Sequence, residues 1–323
     1  MHTLISLQAI EQARARIAPY VTRTPLVALG PSDVLLKAES LQPSGAFKLR
    51  GAFNALLQLG PEARARGVVA HSSGNHAIAV AFAARTLGMP ATIVMPENAP
   101  AVKRDWVQAL GARLEIVGVA SSERLARAAA LAEAEGLALV EPYDAAPIIE
   151  GTGTLGLELL DDCAASDPLE IYVPVSGGGL IAGVAAAMKQ RRRGVRVIGV
   201  EPELAADAGD SFRAGERVTW PAEQVSRTIA DGLRVQRVGA LPWAHIRAYV
   251  DEMVTVSEAE IRATMRLLAC QARLVAEPSG AVAVAAARVG RGGDGVDAAR
   301  RVAVISGGNV DPTLLADVLS NLE

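Results

Sequence analysis

Short runs of apolar, often β-branched residues recur along the chain, and stretches with helical spacing separate most of them. The runs are Val68–Ala70, Ala91–Met95, Leu114–Val117, Leu137–Val140, Ile171–Val173, Val195–Val200 and Val302–Ile305. They are nearly continuous in apolar character rather than alternating, the pattern of strands buried on both faces. Helices are predicted over Gly51–Leu59, Ala77–Leu87 and Leu180–Lys189. Ser257-Glu258-Ala259-Glu260 has the spacing of a capping box, and Ile261, Met265 and Leu268 follow at helical intervals, so another helix starts there. Strand–helix alternation of this kind predicts an α/β fold built on open parallel sheets with helices on both faces. The Gly/Asp-rich stretch 290–297 breaks the pattern and is expected to be an exposed loop.

Composition narrows the picture. A chain of 323 residues buries roughly 75% of its unfolded surface, enough for one large or two modest cores. Half of its residues are hydrophobic and only 3% aromatic, so those cores must be built from Ala, Val, Leu and Ile. A net charge of −3 points to neither nucleic acid nor an anionic membrane as partner. The basic run Arg191-Arg192-Arg193 follows a predicted helix and reads as its solvated end. Cys163 and Cys270 fit no disulfide or metal spacing, and the four histidines are scattered. No apolar stretch reaches about 18 residues, and the N-terminus lacks a basic-then-apolar leader. A cytoplasmic protein, outside the membrane, is expected.

Three segments carry candidate chemistry. Lys48 lies in Pro43-Ser44-Gly45-Ala46-Phe47-Lys48-Leu49-Arg50-Gly51, among small and apolar neighbours. An amine with little water around it holds its proton less tightly, and its neutral form can make a Schiff base with a carbonyl. Read alone, it is more often a surface lysine at a helix start. Ser72-Ser73-Gly74-Asn75-His76 and Ser176-Gly177-Gly178-Gly179 each join an apolar strand to an apolar helix. Such junctions turn backbone N–H groups and a positive dipole end toward an anion. Locally, Ser72 or Ser73 could instead cap the following helix, and Gly74-Asn75 could be a plain turn. Gly177-x-Gly179-x-x-Ala182, with Glu201 at the end of the next strand, also approaches a dinucleotide-binding fingerprint, which keeps an NAD-dependent oxidoreductase as an alternative.

Taken in order, these motifs resemble those of the fold-type II pyridoxal-phosphate enzymes of the threonine dehydratase and serine racemase family. The resemblance runs from Arg23-Thr24-Pro25-Leu26 to Ser306-Gly307-Gly308-Asn309-Val310-Asp311. It implies a tryptophan synthase β-like architecture: a large domain from residues 1–59 and 145–323, a small domain from 60–144, and pyridoxal 5′-phosphate in the cleft between them. It further implies that Lys48 carries the cofactor, with Phe47 beside the ring. Asn75 would meet the 3′ oxygen, Ser176, Gly177, Gly178 and Gly179 the phosphate, and Ser306 the pyridine nitrogen, with Glu277 nearby. Ser72, Ser73, Gly74 and Asn75 would hold the substrate, Ser73 facing the α-carbon opposite Lys48. Glu201, Asp207 and the carbonyl of Ala205 resemble the family's site for a divalent cation, Mg²⁺ or Mn²⁺. The activity implied is loss of ammonia from a β-hydroxy-α-amino acid such as L-threonine or L-serine; the apolar character of the chain suggests a homodimer. Serine racemisation on the same site is the alternative, and a non-catalytic cofactor-binding protein a more distant one.

The chain departs from the family pattern at Gly151-Thr152-Gly153-Thr154, at Ser176, which opens the glycine loop, and at Ile78-Ala79 after the Asn-His pair.

Overall fold

The computed structural model describes residues 3–30, 34–163, 168–292 and 300–320. Its strands are β1 (Leu26–Ala28), β2 (Val34–Ala38), β3 (Val68–His71), β4 (Ala91–Pro96), β5 (Arg113–Val117), β6 (Ala138–Leu139), β7 (Leu169–Pro174), β8 (Val195–Pro202), β9 (Glu252–Val256) and β10 (Arg300–Ile305). They form a six-stranded sheet in the order β1-β2-β10-β7-β8-β9 and a four-stranded sheet in the order β5-β4-β3-β6. All pairings are parallel except β1 with β2, where Val27 faces Leu36 in antiparallel register. That antiparallel edge is a departure from the all-parallel expectation.

Side chains alternate across each strand, which explains how one apolar run serves two cores. Ile171, Val173, Val302 and Val304 point to one face of the larger sheet, where they meet Leu155, Leu159, Ile181 and Val184. Tyr172, Ala303 and Ile305 point to the other, against Ala281–Ala287 and Met265. The smaller sheet repeats the arrangement. Val68, Ala70, Ile93 and Met95 pack with Ala77–Ala84, while Val69 and Val94 meet Ala128 and Leu131. A fully buried valine or leucine contributes about 1.5–3 kcal/mol, so these faces fix the register of both sheets.

Each predicted strand formed, within a few residues of its expected ends. β1, β2 and β9 were missed, being short or interrupted by polar residues such as Lys37, Glu252 and Thr255. The Ser257 capping box is present, with Oγ accepting from the Glu260 amide and the Glu260 carboxylate accepting from the Ser257 amide. Arg191 and Arg193 are exposed at a helix end, as expected. Residues 290–292 form a turn; the rest of the predicted 290–297 loop lies outside the described residues. Among the described residues, no helix is long and apolar enough to cross a membrane.

Candidate active site

Lys48 is the first residue of its helix, Lys48–Leu57, which therefore begins three residues earlier than its sequence pattern indicates. The preceding loop is stitched to the segment after β10. Phe47 N–H donates to the Ser306 carbonyl at 3.0 Å, Gly308 N–H donates to the Gly45 carbonyl at 2.8 Å, and Ala46 bridges Gly307. Gly45 has φ +74°, and a Cβ there would run into the Asn309 side chain, so only glycine suits the position. Lys48 and Ser306 thereby line the same cavity.

Arg50, on the opposite face of the same first turn, anchors the helix from behind. Its guanidinium is fully buried, donating to Glu39 at 2.8 Å and to Glu158 at 2.7 and 2.9 Å. Buried Lys37 donates to Glu158 and to the Thr24 carbonyl, both at 2.7 Å. Burial pushes the Glu39 carboxyl up, but the Arg50 charge, together with hydrogen bonds from Arg50 and Thr24 and the charge of Lys37, more than offsets this and holds it below its ordinary value.

The Lys48 amine faces a cavity of about 360 Å³ between the two sheets. It donates to the Pro142 carbonyl at 2.6 Å and lies 5.1 Å from the centre of the Phe47 ring. Burial lowers its pKa from 10.5 to about 8. The cavity is bounded by the loops after β3, β7 and β10, contributing Ser72–Asn75, Ser176–Gly179 and Ser306, and by Glu277. These are the carboxyl ends of parallel strands, the usual place for a ligand in such folds.

Asn75 opens the helix Asn75–Thr86, and neither Ser72 nor Ser73 caps it: Gly74 holds the cap position without a side-chain bond. The Ser72 hydroxyl accepts from Gly74 N–H at 3.1 Å instead, and among the described residues none hydrogen-bonds the Ser73 hydroxyl. The local capping and turn readings both fail here. Asn75 Nδ2 donates to Glu277, and its Oδ1 accepts from Asn309 Nδ2 at 2.8 Å. Burial pushes Glu277 up to about 7, a rise that the Lys103 charge holds back. His76, on the same helix, donates from Nε2 to the Val140 carbonyl at 3.0 Å, and burial and then Lys48 push its pKa down to about 3, so the ring is neutral. Ser306 Oγ makes only a long bond, 3.3 Å, to the Ser279 carbonyl.

The glycine loop is shaped by close contacts. Gly178 has φ +87° and caps the helix Gly179–Arg191, and a Cβ on Gly177 would enter the Tyr143 ring. Thr152 Oγ1 donates to the Gly179 carbonyl at 2.9 Å, so the departure at Thr152 buttresses this loop. Asp144 fastens the start of the neighbouring helix Ala240–Tyr249 by accepting from Ala240 and Leu241 N–H, both at 2.8 Å. Tyr143, Asp144, Lys103 and Thr152 escaped sequence reasoning. Each sits in a local pattern indistinguishable from a loop or an amphipathic helix; only Thr152, as a break in a glycine-rich motif, left a trace.

Glu201, Ala205 and Asp207 gather at the end of β8, outside the cavity lining. Glu201 is fully buried and accepts from Ala208 and Gly209 N–H at 3.0 and 2.7 Å, while both oxygens of buried Asp207 lack a hydrogen-bond partner. Burial, with Asp207 nearby, raises Glu201 well above its ordinary value, and burial raises Asp207 to about 7. Glu201 is fully buried in the core and takes no part in the lining of the glycine-loop cavity, so it cannot serve a ribose there, and the dinucleotide reading fails.

A desolvated lysine, a glycine-lined helix start and a polar cleft between two α/β sheets define an enzyme that keeps a phosphorylated carbonyl cofactor. The chain belongs to the family of pyridoxal-phosphate-dependent enzymes, which it matches over residues 17–307. It is 41% identical to serine racemase of Arabidopsis thaliana over 312 residues, 94% of this chain and 92% of that one. It is 37% identical to a catabolic L-threonine dehydratase of Staphylococcus aureus over 326 residues, 98% of this chain and 93% of that one. The structure of maize serine racemase superposes with a TM-score of 0.90 at 37% identity, covering 98% of this chain and 97% of that one.

Proposed function

We propose that this pyridoxal-phosphate enzyme is an ammonia-lyase that converts a β-hydroxy-α-amino acid, L-threonine or L-serine, to a 2-oxo acid and ammonia. The observation that carries the reading is the Lys48 amine, lowered to about 8 by burial and facing Ser72–Gly74 and the glycine loop in one cavity. The residues fit the cofactor: a neutralisable amine for its carbonyl, a loop where Cβ atoms are excluded for its phosphate, and a hydroxyl, Ser306, for its nitrogen. When bound, the cofactor supplies an electron sink for charge developing at the substrate α-carbon.

The chain's own groups supply binding and proton transfer. Amides of Ser176–Gly179 would hold the phosphate, and Asn75 would donate to the 3′ oxygen. Ser72–Gly74 hold the substrate carboxylate. Lys48 Nζ takes the α-proton, because near neutrality a useful fraction of it is uncharged. Ser306, being neutral, does not force a proton onto the pyridine nitrogen, which suits rapid expulsion of a β-hydroxyl. Racemisation is the second reading, favoured by the Ser73 hydroxyl, which is free within the same cavity to deliver a proton from the opposite face.

The proposal extends to the domain limits, 60–144 for the small domain and 1–59 with 145–323 for the large one, supported by the confinement of the four-stranded sheet to residues 68–139. It extends also to a cytoplasmic homodimer, which sedimentation and fractionation would test. The orphaned Asp207 carboxylate, with Glu201 and the Ala205 carbonyl, is a hard-oxygen donor set suited to Mg²⁺ or Mn²⁺. The deciding experiment incubates the holoenzyme with each amino acid and assays both 2-oxo acid and substrate enantiomer. Release of 2-oxo acid from L-threonine or L-serine is expected; enantiomer exchange without 2-oxo acid would reverse the order of the two readings.

A further inference from the structure

A polar chain crosses the cleft behind the Asn75 amide. Asn309 Nδ2 donates both to the Ser44 carbonyl at 2.9 Å and to Asn75 Oδ1 at 2.8 Å. Asn75 Nδ2 then donates to Glu277 Oε1. The second Glu277 oxygen is buried without a hydrogen-bond partner, 3.8 Å from Lys103 Nζ, which itself donates to Asp231 at 2.7 Å. Lys103 comes from the helix Ala101–Ala109 beside the four-stranded sheet, while Glu277 and Asp231 belong to the six-stranded half. Only 6% of the Lys103 side chain and 1% of the Glu277 side chain are exposed, so neither charge is screened by water.

We propose that Lys103 is a positioning residue for the cofactor: by holding Glu277 as an anion it gives the Asn75 amide a charged anchor, leaving the second N–H of Asn75 aimed at the cofactor's 3′ oxygen. The Ser44 carbonyl at one end only accepts, and an ionised Glu277 at the other end only accepts, so every amide between them has one orientation. A protonated Glu277 would offer a donor of its own and a neutral acceptor, and the Asn75 bond would drop from a charge-assisted to an ordinary one. The groups facing Glu277 are Asn75, Lys103 and Asp231, with Arg234 acting on Lys103. Burial and Asp231 favour protonation of Glu277; Lys103 is the cation that opposes them.

The inference rests on the assignment of Asn75 to the 3′ oxygen. Its test uses the intact protein without substrate, reading the dissociation constant for pyridoxal phosphate and the pH titration of the bound cofactor's visible band. Lys103→Met is expected to weaken cofactor binding about tenfold and to displace the titration, the difference between a charge-assisted and a neutral hydrogen bond. Lys103→Arg should stay within roughly threefold of the unmutated protein, because the charge is kept. Glu277→Gln should mimic Lys103→Met, and the double variant should be no worse than Glu277→Gln alone, since both act through one path. If Lys103→Met does not fold, Glu277→Gln carries the test, and an unchanged dissociation constant and titration would overturn the proposal. Unchanged binding and spectrum in Lys103→Met with only a raised KM would make Lys103 a substrate ligand. Unchanged binding and spectrum with only a lowered Tm would make it a tie between the two halves. Failure of the unmutated protein to bind the cofactor would instead sink the assignment of Asn75.

Discussion

Burial of the Lys48 amine ties its reactivity to pH. In the cofactor-free protein, labelling of Lys48 by an amine-directed reagent should rise with a midpoint near 8, where an ordinary lysine would require 10.5. Peptide mass spectrometry across a pH series checks this; a midpoint near the ordinary value would remove the physical basis for a nucleophilic lysine. The same shift has a thermodynamic sign. Between about 8 and 10.5 the unfolded chain holds a proton on Lys48 that the folded chain has released. The cofactor-free protein should therefore gain stability as pH rises through that window, and Lys48→Met should lose this dependence. Ser73 gives the sharpest separation of the two readings. Ser73→Ala should depress D-serine formation from L-serine far more than ammonia release from L-serine, because only racemisation needs a proton delivered to the opposite face. Chiral chromatography beside an ammonia assay measures both. Equal losses would mean that Ser73 only helps to bind the substrate.

Among elements, close backbone contact between helices sets the site. A Cβ on Gly151 would stand 2.5 Å from the Arg50 carbonyl oxygen and 2.7 Å from Gly51 Cα. The helix Ala146–Asp162 therefore lies almost directly on the lysine helix. A Cβ on Gly183 would meet the Ile149 carbonyl and Thr152, so the same helix also lies against the one that starts at the glycine loop. The distance from Lys48 to the phosphate cradle is thus set by three helices touching through glycines. Gly151→Ala should cost about 1–3 kcal/mol, since backbone atoms on both sides must move. It should also weaken cofactor binding by shifting Lys48. Urea denaturation followed by cofactor titration checks both. Normal stability would show that the helices can separate without strain. Two of the three helices, the lysine helix and the one that starts at the glycine loop, are legible in the sequence as apolar segments; the helix Ala146–Asp162 and the contacts among the three are not, because a glycine in a helix looks the same whether it meets a neighbour or water.

At the scale of the whole molecule, the cluster at the end of β8 lies outside the catalytic lining, so a cation there would act on stability. Exhaustive dialysis against EDTA should lower Tm and partly reduce activity, and Mg²⁺ should restore both. Glu201→Gln with Asp207→Asn should abolish that response. No change of Tm in the unmutated protein would show that the two carboxyls are buried without a metal. Sequence by itself determined the alternation of strands and helices, the Ala- and Val-rich composition of the cores, and the segments that meet in the cavity. Those features are written in local periodicity and in motifs with fixed backbone demands. Tertiary structure alone decided the rest. It buries Lys48 among segments far along the chain, Pro142 among them, and that burial lowers the amine's pKa; it turns Thr152 into a prop for the glycine loop; and it sets Lys103 between Asp231 and Glu277 across the cleft. Burial and pairing of charge depend on what other segments place around a side chain, and no stretch of sequence carries that information locally.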